Sequence, residues 1–237
     1  MPQSYFIWNN IDCRSMGIIM RGPAAIVRPE ERVQHVEIPG RSGDLTELEG
    51  ENIYNSYIQT VSISVRGGFR TREVYKWLRG SGYVTFSGEP DRKQEARIIG
   101  AITLNRVSRN LDNWAGEVQF YCQPLKQLLT EDTKQITGSG SAVQNNGDVE
   151  SRPRIKATAS GTSMVITAGG NSLAIINLTS GQDYYIDSEI MEVYNSDRSA
   201  LLTKDSLGDF PVLKPGNNVI TGSGWSKLVI ERRERFL

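Results

Sequence analysis

One histidine and two cysteines leave this 237-residue sequence little material for metal or thiol chemistry. Transition-metal sites need several His, Cys, Asp or Glu ligands that converge. His35 stands alone, and Cys13 and Cys122 sit far apart, in no CxxC or Cys/His cluster. A disulfide framework does not suit so few cysteines in a chain this long, so two buried free thiols are expected. Asp-rich calcium loops are absent. Gly138-Ser139-Gly140 and Gly169-Gly170 are followed by no Lys-Ser/Thr opening a helix, so no phosphate-cradling loop is read. No Gly-x-Ser-x-Gly elbow accompanies His35, which reads as structural or solvated. No cofactor and no metal are expected. No apolar run approaches a membrane span, and no basic start leads into an apolar signal segment. The expectation is a protein made and folded in cytoplasm, without a membrane partner.

Charge of one sign is also missing. Lys plus Arg and Asp plus Glu number 27 each, for a net charge of zero. A dedicated nucleic-acid binder usually carries a basic excess. A near-neutral chain repels its own copies weakly, which suits self-assembly. The hydrophobic fraction of 38% and charged fraction of 23% describe a chain that folds and stays soluble, as one large β domain or two smaller ones.

What is present is mostly strand and turn. The most informative stretch is Ile38-Pro39-Gly40-Arg41-Ser42-Gly43-Asp44-Leu45, a stiff polar turn between extended runs. Ala24 to Val36 precedes it, and Tyr57 to Val65 follows with Val61, Ile63 and Val65 on one face; Gly67-Gly68 ends the return strand. The pattern describes a long β-arm, from which a globule gains little and a subunit reaching into its neighbour gains much. Arg41 and Asp44 are the candidates for charge-assisted contacts to that neighbour, with Pro39, Gly40, Ser42, Gly43 and Leu45 shaping the tip. An ordinary hairpin loop, with Arg41 and Asp44 paired to each other, is the plainer alternative.

Elsewhere, Phe6 to Trp8 opens as a strand and Asn9-Asn10 as a turn. Thr71 to Arg79 is the helix candidate, capped by Thr71, with Val74, Trp77 and Leu78 on one face and Gly80 as a stop. It should plug the open face of a sheet. Ala96, Ile98, Gly100, Ile102 and Leu104 share one strand parity, and Pro124 should end the strand through Val118, Phe120 and Cys122. Residues 126–150 read as a connecting region with one strand near Lys134 to Thr137. The short, evenly spaced strands beyond suggest a β-sandwich. Asp187 and Glu189 share a strand face, the arrangement a glycosidase pair would need, but their setting reads as a strand entering a hairpin. Trp225, with Tyr184, Tyr185 and Tyr194, are candidate sugar-stacking aromatics against the alternative of core packing. The closing Glu231-Arg232-Arg233-Glu234-Arg235 reads as a solvated strand end.

In order along the chain, these segments resemble the distal tail protein family of long-tailed (siphovirus-like) bacteriophages or prophages. The opening Tyr5-Phe6-Ile7-Trp8-Asn9-Asn10-Ile11-Asp12, the Ile38–Leu45 loop, Trp77-Leu78, Glu89-Pro90-Asp91 and Phe120-Tyr121-Cys122-Gln123-Pro124 carry the first half of the likeness. Asn146-Gly147-Asp148, Ser151-Arg152-Pro153, Ile186-Asp187 and Phe210-Pro211-Val212-Leu213-Lys214-Pro215-Gly216-Asn217-Asn218 carry the second. The resemblance implies a mainly β chain: residues 1–130 as a tail-tube-like β domain with one short helix and a belt hairpin, and residues 131–237 as a galectin-like β-sandwich. It implies a non-enzymatic subunit of a homohexameric ring at the virion tail tip, each belt embracing the next subunit. Its expected partners are the tail tube protein, the end of the tape-measure protein, the tail-associated hub and a receptor-binding protein, with DNA passing through the channel unrecognised. Some members carry carbohydrate-binding insertions. At 237 residues there is no room for one here, which weakens a direct sugar-binding role and leaves scaffold and adaptor functions; a host cell-wall carbohydrate-binding module of the tail tip is the alternative reading.

Overall fold

The computed structural model describes residues 3–48, 50–67, 70–107, 112–197, 199 and 201–237, without the side chain of Leu48. The chain divides into two compact units, Met1–Leu129 with Leu237, and Thr130–Phe236. Both are built almost wholly from antiparallel strands.

The first unit contains β1 (Phe6–Trp8), β2 (Ile11–Asp12), β3 (Ile18–Met20), β4 (Val33–Val36), β5 (Leu45–Leu48), β6 (Tyr57–Arg66), helix α1 (Thr71–Trp77), β7 (Ser81–Phe86), β8 (Arg92–Ile99), β9 (Leu104–Arg106) and β10 (Asn113–Leu128). Its main sheet runs β2-β1-β7-β8-β10-β6-β3, with β9 added along β10. Period-two alternation sends Val61, Ile63 and Val65 of β6 and Val118, Phe120 and Cys122 of β10 into one core. Helix α1 covers that face through Val74 and Leu78, and Trp77 stacks on Phe6 at 5.8 Å. Gly80 stops the helix at φ +76°. The N-cap position falls to Arg70 rather than Thr71, which is already helical.

Asn9 and Asn10 make the β1–β2 turn with both φ positive, the requirement of a type I′ hairpin. The Asn9 side chain also accepts a bond from the Tyr83 amide at 3.0 Å, and a Cβ on Gly82 would lie 1.8 Å from the same oxygen. Gly82 is therefore required by the close approach of this turn to β7. Both cysteines are buried free thiols, as expected. Burial pushes the Cys122 thiol up to about 12, which makes it unreactive.

Two strand readings need correction. The run from Ala96 to Leu104 is not one strand: Gly100 takes φ +70°, and β9 starts afresh at Leu104. Nor does Pro124 end β10. The pairing with β8 shifts register between Cys122 and Lys126, a bulge that takes up a residue with no amide proton to offer the ladder. The Gln94 side chain donates to the Gln123 carbonyl at that bulge and accepts from the Tyr57 hydroxyl. Gly67 follows β6 at φ +87°, while Gly68, read as part of the same stop, lies outside the described residues.

The second unit holds β11 (Thr133–Ile136), β12 (Ser141–Asn145), β13 (Arg154–Ala159), β14 (Ser163–Ala168), β15 (Asn171–Ile176), β16 (Asp183–Asp187), β17 (Glu192–Asn195), β18 (Ser206–Gly208), β19 (Gly216–Ser223) and β20 (Trp225–Glu231). Two sheets, β11-β20-β13-β16-β17 and β12-β19-β14-β15-β18, share one core that includes Ile155, Ile166, Ile175, Ile186 and Ile230. This is the anticipated β-sandwich. The stretch read as connecting supplies an edge strand to each sheet, β11 to one and β12 to the other. Its polar composition suits edges, where half the backbone groups face water.

Candidate functional site: an unpacked hairpin arm

β4 and β5 form a two-stranded sheet of their own, with Val33 opposite Leu48, Gln34 opposite Glu47, His35 opposite Thr46 and Val36 opposite Leu45. The arm therefore returns along β5 and not, as read from the sequence, along the strand beginning at Tyr57. A bridge between Glu31 and Tyr54 extends the pairing toward the body. At the root, the Asn55 amide donates to the Glu30 carbonyl at 2.8 Å and the Arg32 amide to the Ile53 carbonyl at 2.9 Å.

The tip follows from its residues. Pro39 and Gly40 occupy the centre of a β-turn closed by the Arg41 amide donating to the Ile38 carbonyl at 3.1 Å. Gly40 at φ +82° makes it type II, which wants proline first and glycine second. Gly43 sits at φ +80°, a second position suited to glycine. Ser42, Arg41 and Asp44 are exposed and Leu45 is half-buried. Among the described residues Arg41 and Asp44 form no ion pair with each other. His35 is exposed on the arm, its ring nitrogen 3.3 Å from the Thr46 hydroxyl across the two strands.

From Glu30 to Ile53 no described residue is buried, whereas Pro29 and Tyr54 at the root are. Gly40 lies nine steps along the chain from Glu31, so the arm reaches roughly 30 Å at strand spacing. A lone two-stranded hairpin is marginally stable in water. Val33, Val36, Ile38, Leu45 and Ile53 all keep apolar surface that the body does not cover.

The other candidates resolve differently. Asp187 is not poised for catalysis. Arg233 donates to both its carboxylate oxygens, at 2.7 and 2.9 Å, and the Glu189 amide donates to it at 3.1 Å, closing the β16–β17 hairpin. Glu189 accepts from Arg235 at 2.9 Å and from Arg233 at 3.3 Å. The closing charged segment is thus not a free solvated edge: it supplies the cations of this cluster, and Glu234 is buried, accepting from the Asn146 amide at 2.9 Å. Burial alone would raise the Asp187 carboxyl, but the hydrogen bonds and charge of Arg233 outweigh it and hold it below its usual value of 3.8. A depressed carboxyl contributes stability that is complete above the unfolded value and disappears as pH falls through the lower folded one. Asp187→Asn is therefore expected to cost about 2 kcal/mol at neutral pH, the scale of a hydrogen bond to a charged group. Denaturant melts at neutral and strongly acid pH check this: the gap between wild type and variant should close in acid, and a gap that persists there would point to packing instead.

Trp225 packs in the sandwich core, 8% exposed, so its ring faces are not open to a sugar. Tyr185 and Tyr194 stack at 5.5 Å, with Lys156 over Tyr185, but Tyr194 is buried. Among the described residues no group of acidic, His or Cys side chains is arranged for a metal ion, and no helix is long and apolar enough to cross a membrane.

One feature of the arm escaped the sequence reading. Residues 29–52 hold seven Asp and Glu against Arg32 and Arg41, a net charge of −5, while the remainder of residues 1–129 holds 14 Lys and Arg against 7 Asp and Glu. A whole-chain balance of zero conceals this division. Counting charge over the hairpin alone exposes it, once its limits are known.

Comparison with solved structures identifies the architecture. Over 99% of this chain and 99% of the other, the fold matches the Dit protein (gp 19.1) of phage SPP1, described as a paradigm of the hub adsorption apparatus in phages that infect Gram-positive bacteria, with a TM-score of 0.81 and 19% identity. A component of the phage p2 baseplate in its activated conformation is also similar, at a TM-score of 0.49 and 8% identity over 99% of both chains. No family model and no curated protein matches the sequence. The resemblance to distal tail proteins drawn from the sequence motifs thus holds at the level of the fold.

Proposed function

We propose that this chain is a structural subunit of a phage tail tip, closing with its own copies into a hexameric ring. The ring joins the tail tube, and the end of the tape-measure protein, to the hub and receptor-binding parts, and leaves a channel for DNA. The observation that carries this reading is the arm: an acidic β-hairpin with no buried described residue, on a fold shared with a phage hub protein. Among the described residues the main sheet of the first unit also ends at β2 and β3. A heterologous contact that closes on itself uses both an extended arm and an edge, and leaves no free template for aggregation. The carboxylate pair Asp187 and Glu189, the glycosidase-like candidate, is held by Arg233 and Arg235.

In this reading Arg41 and Asp44 contact the neighbouring subunit, with Pro39, Gly40, Ser42, Gly43 and Leu45 holding the tip in shape. Native mass spectrometry over a range of concentrations, with negative-stain images of the same sample, tests the ring. A closed hexamer with a central hole is expected. A monomer that persists even with the cognate tail tube protein added would overturn it. Arg41→Glu should weaken the oligomer about tenfold or more, the lower end of what a reversed interfacial charge does, and leave the melting temperature of the monomer unchanged. Identical oligomer distributions for variant and wild type would remove Arg41 from the contact.

A further inference from the structure

Helix α1 turns one side to the core and presents cations on the other. Val74 and Leu78 are buried, and Trp77 packs against the same cluster. At about 100° per residue, Arg72, Tyr75, Lys76 and Arg79 fall on the opposite side. All four are exposed, with Arg79 one residue past the C-cap residue Leu78. Elsewhere in the first unit many cations are already taken: Arg14 by Asp12, Arg92 and Lys126 by Glu89, and Lys93 by the Tyr83 ring. Among the described residues the side chains of Arg72, Lys76 and Arg79 form no ion pair. Glu73, the one acid of α1, lies about 100° round from Arg72 and off the stripe. The helix itself gains nothing from this arrangement. Like charges at i and i+4 repel, and Arg72 sits in the first turn, at the positive end of the dipole.

We infer that this stripe receives an acidic helix of a different protein, with Asp or Glu at i, i+4 and i+7 facing the three cations. The spacing is that of α1 itself, so a helix laid along it brings one carboxylate to each cation. Guanidinium takes a carboxylate in two-pronged fashion, which fixes register as well as charge. Tyr75 adds an apolar ring with a polar tip beside them. The charges are complementary, since the first unit outside residues 29–52 holds 14 Lys and Arg against 7 Asp and Glu. Nucleic acid fits less well. The stripe runs roughly 10 Å at helical rise, a duplex would extend far past it, and the arm on the same unit carries −5.

The inference does not depend on the ring, because peptide binding is read whatever the oligomeric state. Full-length wild type, Arg72→Glu/Lys76→Glu and Arg97→Glu/Arg106→Glu are titrated with a labelled alanine-based helix bearing Glu at i, i+4 and i+7. Fluorescence anisotropy is read at low and high salt, and circular dichroism confirms each fold. The second variant reverses the same charge at exposed arginines of β8 and β9. Wild type should bind, and weaken at high salt. Reversal on α1 should weaken binding about tenfold or more, and reversal on β8 and β9 should not. Should the α1 reversal disturb folding, Arg72→Gln/Lys76→Gln keeps good helix formers at both positions and should show the same loss. Absent binding by wild type, or equal loss in both reversed proteins, overturns the site. Duplex DNA that displaces the peptide at equal charge gives the stripe to nucleic acid instead. An oligomer distribution altered by the α1 reversal gives it to a second copy, and either result overturns the inference.

Discussion

With Arg32 to Ile53 replaced by Asn-Gly, the protein is expected to remain folded and to lose altogether the closed oligomer proposed above. The root geometry permits the cut: Glu31 and Tyr54 are already bridged, and the Glu30 carbonyl already accepts from the Asn55 amide. A two-residue Asn-Gly turn suits two strands brought that close. No described residue in the excised stretch is buried, so the core of the first unit loses nothing. The melting temperature should move by no more than about 3 °C, the response of a domain this size to a loss under 1 kcal/mol. Light scattering should meanwhile report monomer at concentrations where the full chain is closed. The excision removes the polar tip and the acidic flanks together, and is expected to exceed the effect of any one reversed charge. Intact oligomers from the shortened protein would show that the globular faces alone drive assembly, and the arm would then be an ornament of the fold.

Phe120→Ala is expected to cost about 3–5 kcal/mol, the range for removing a fully buried aromatic ring. Phe120 is 0% exposed and stands at the centre of an aromatic cluster. Its ring meets Phe6 at 5.4 Å, Trp8 at 5.6 Å and Phe86 at 5.7 Å, each edge to face. Each such pair adds about 0.5–1.5 kcal/mol beyond area burial. The partners come from β1 and β7, so the substitution empties a space between strands that pair far apart in sequence. Those strands cannot collapse into it without breaking ladder hydrogen bonds. Calorimetry should show the transition of the first unit falling by more than about 10 °C. The transition of Thr130–Phe236, whose core cluster contains none of these residues, should stay in place. A shift of a degree or two would mean that the cluster repacks around the gap.

Much of this architecture was readable before any fold was known. The alternation of Val61, Ile63 and Val65, the Asn9-Asn10 turn, the Val74-Trp77-Leu78 face and the Pro39-Gly40 tip are signals contained in a few neighbouring residues. Such signals come from side-chain volume and allowed φ/ψ, which act locally. The errors have one kind of cause. Gly100 breaks an apparently continuous strand and Pro124 fails to break a real one, because what decides each is the partner strand: a bulge against β8 makes room for the proline. The strand near Lys134 was legible, but Ser141–Asn145 looked like linker because edge strands carry polar sequences, and only the sheet order shows what each borders.

The candidate site divides the same way. The sequence by itself determined that there would be a β-arm with a stiff tip and that the cysteines would be buried free thiols. It also contained the arm's excess of carboxylates, though not the limits over which to count them. The tertiary structure alone decided that the arm returns on β5 and leaves the body uncovered. It alone assigned Asp187 and Glu189 to Arg233 and Arg235, 46 residues further along the chain. The reason is physical: turn type and burial periodicity are properties of a short peptide, while pairing partners and converging charges depend on which distant segments meet. That is settled only when the whole core is packed.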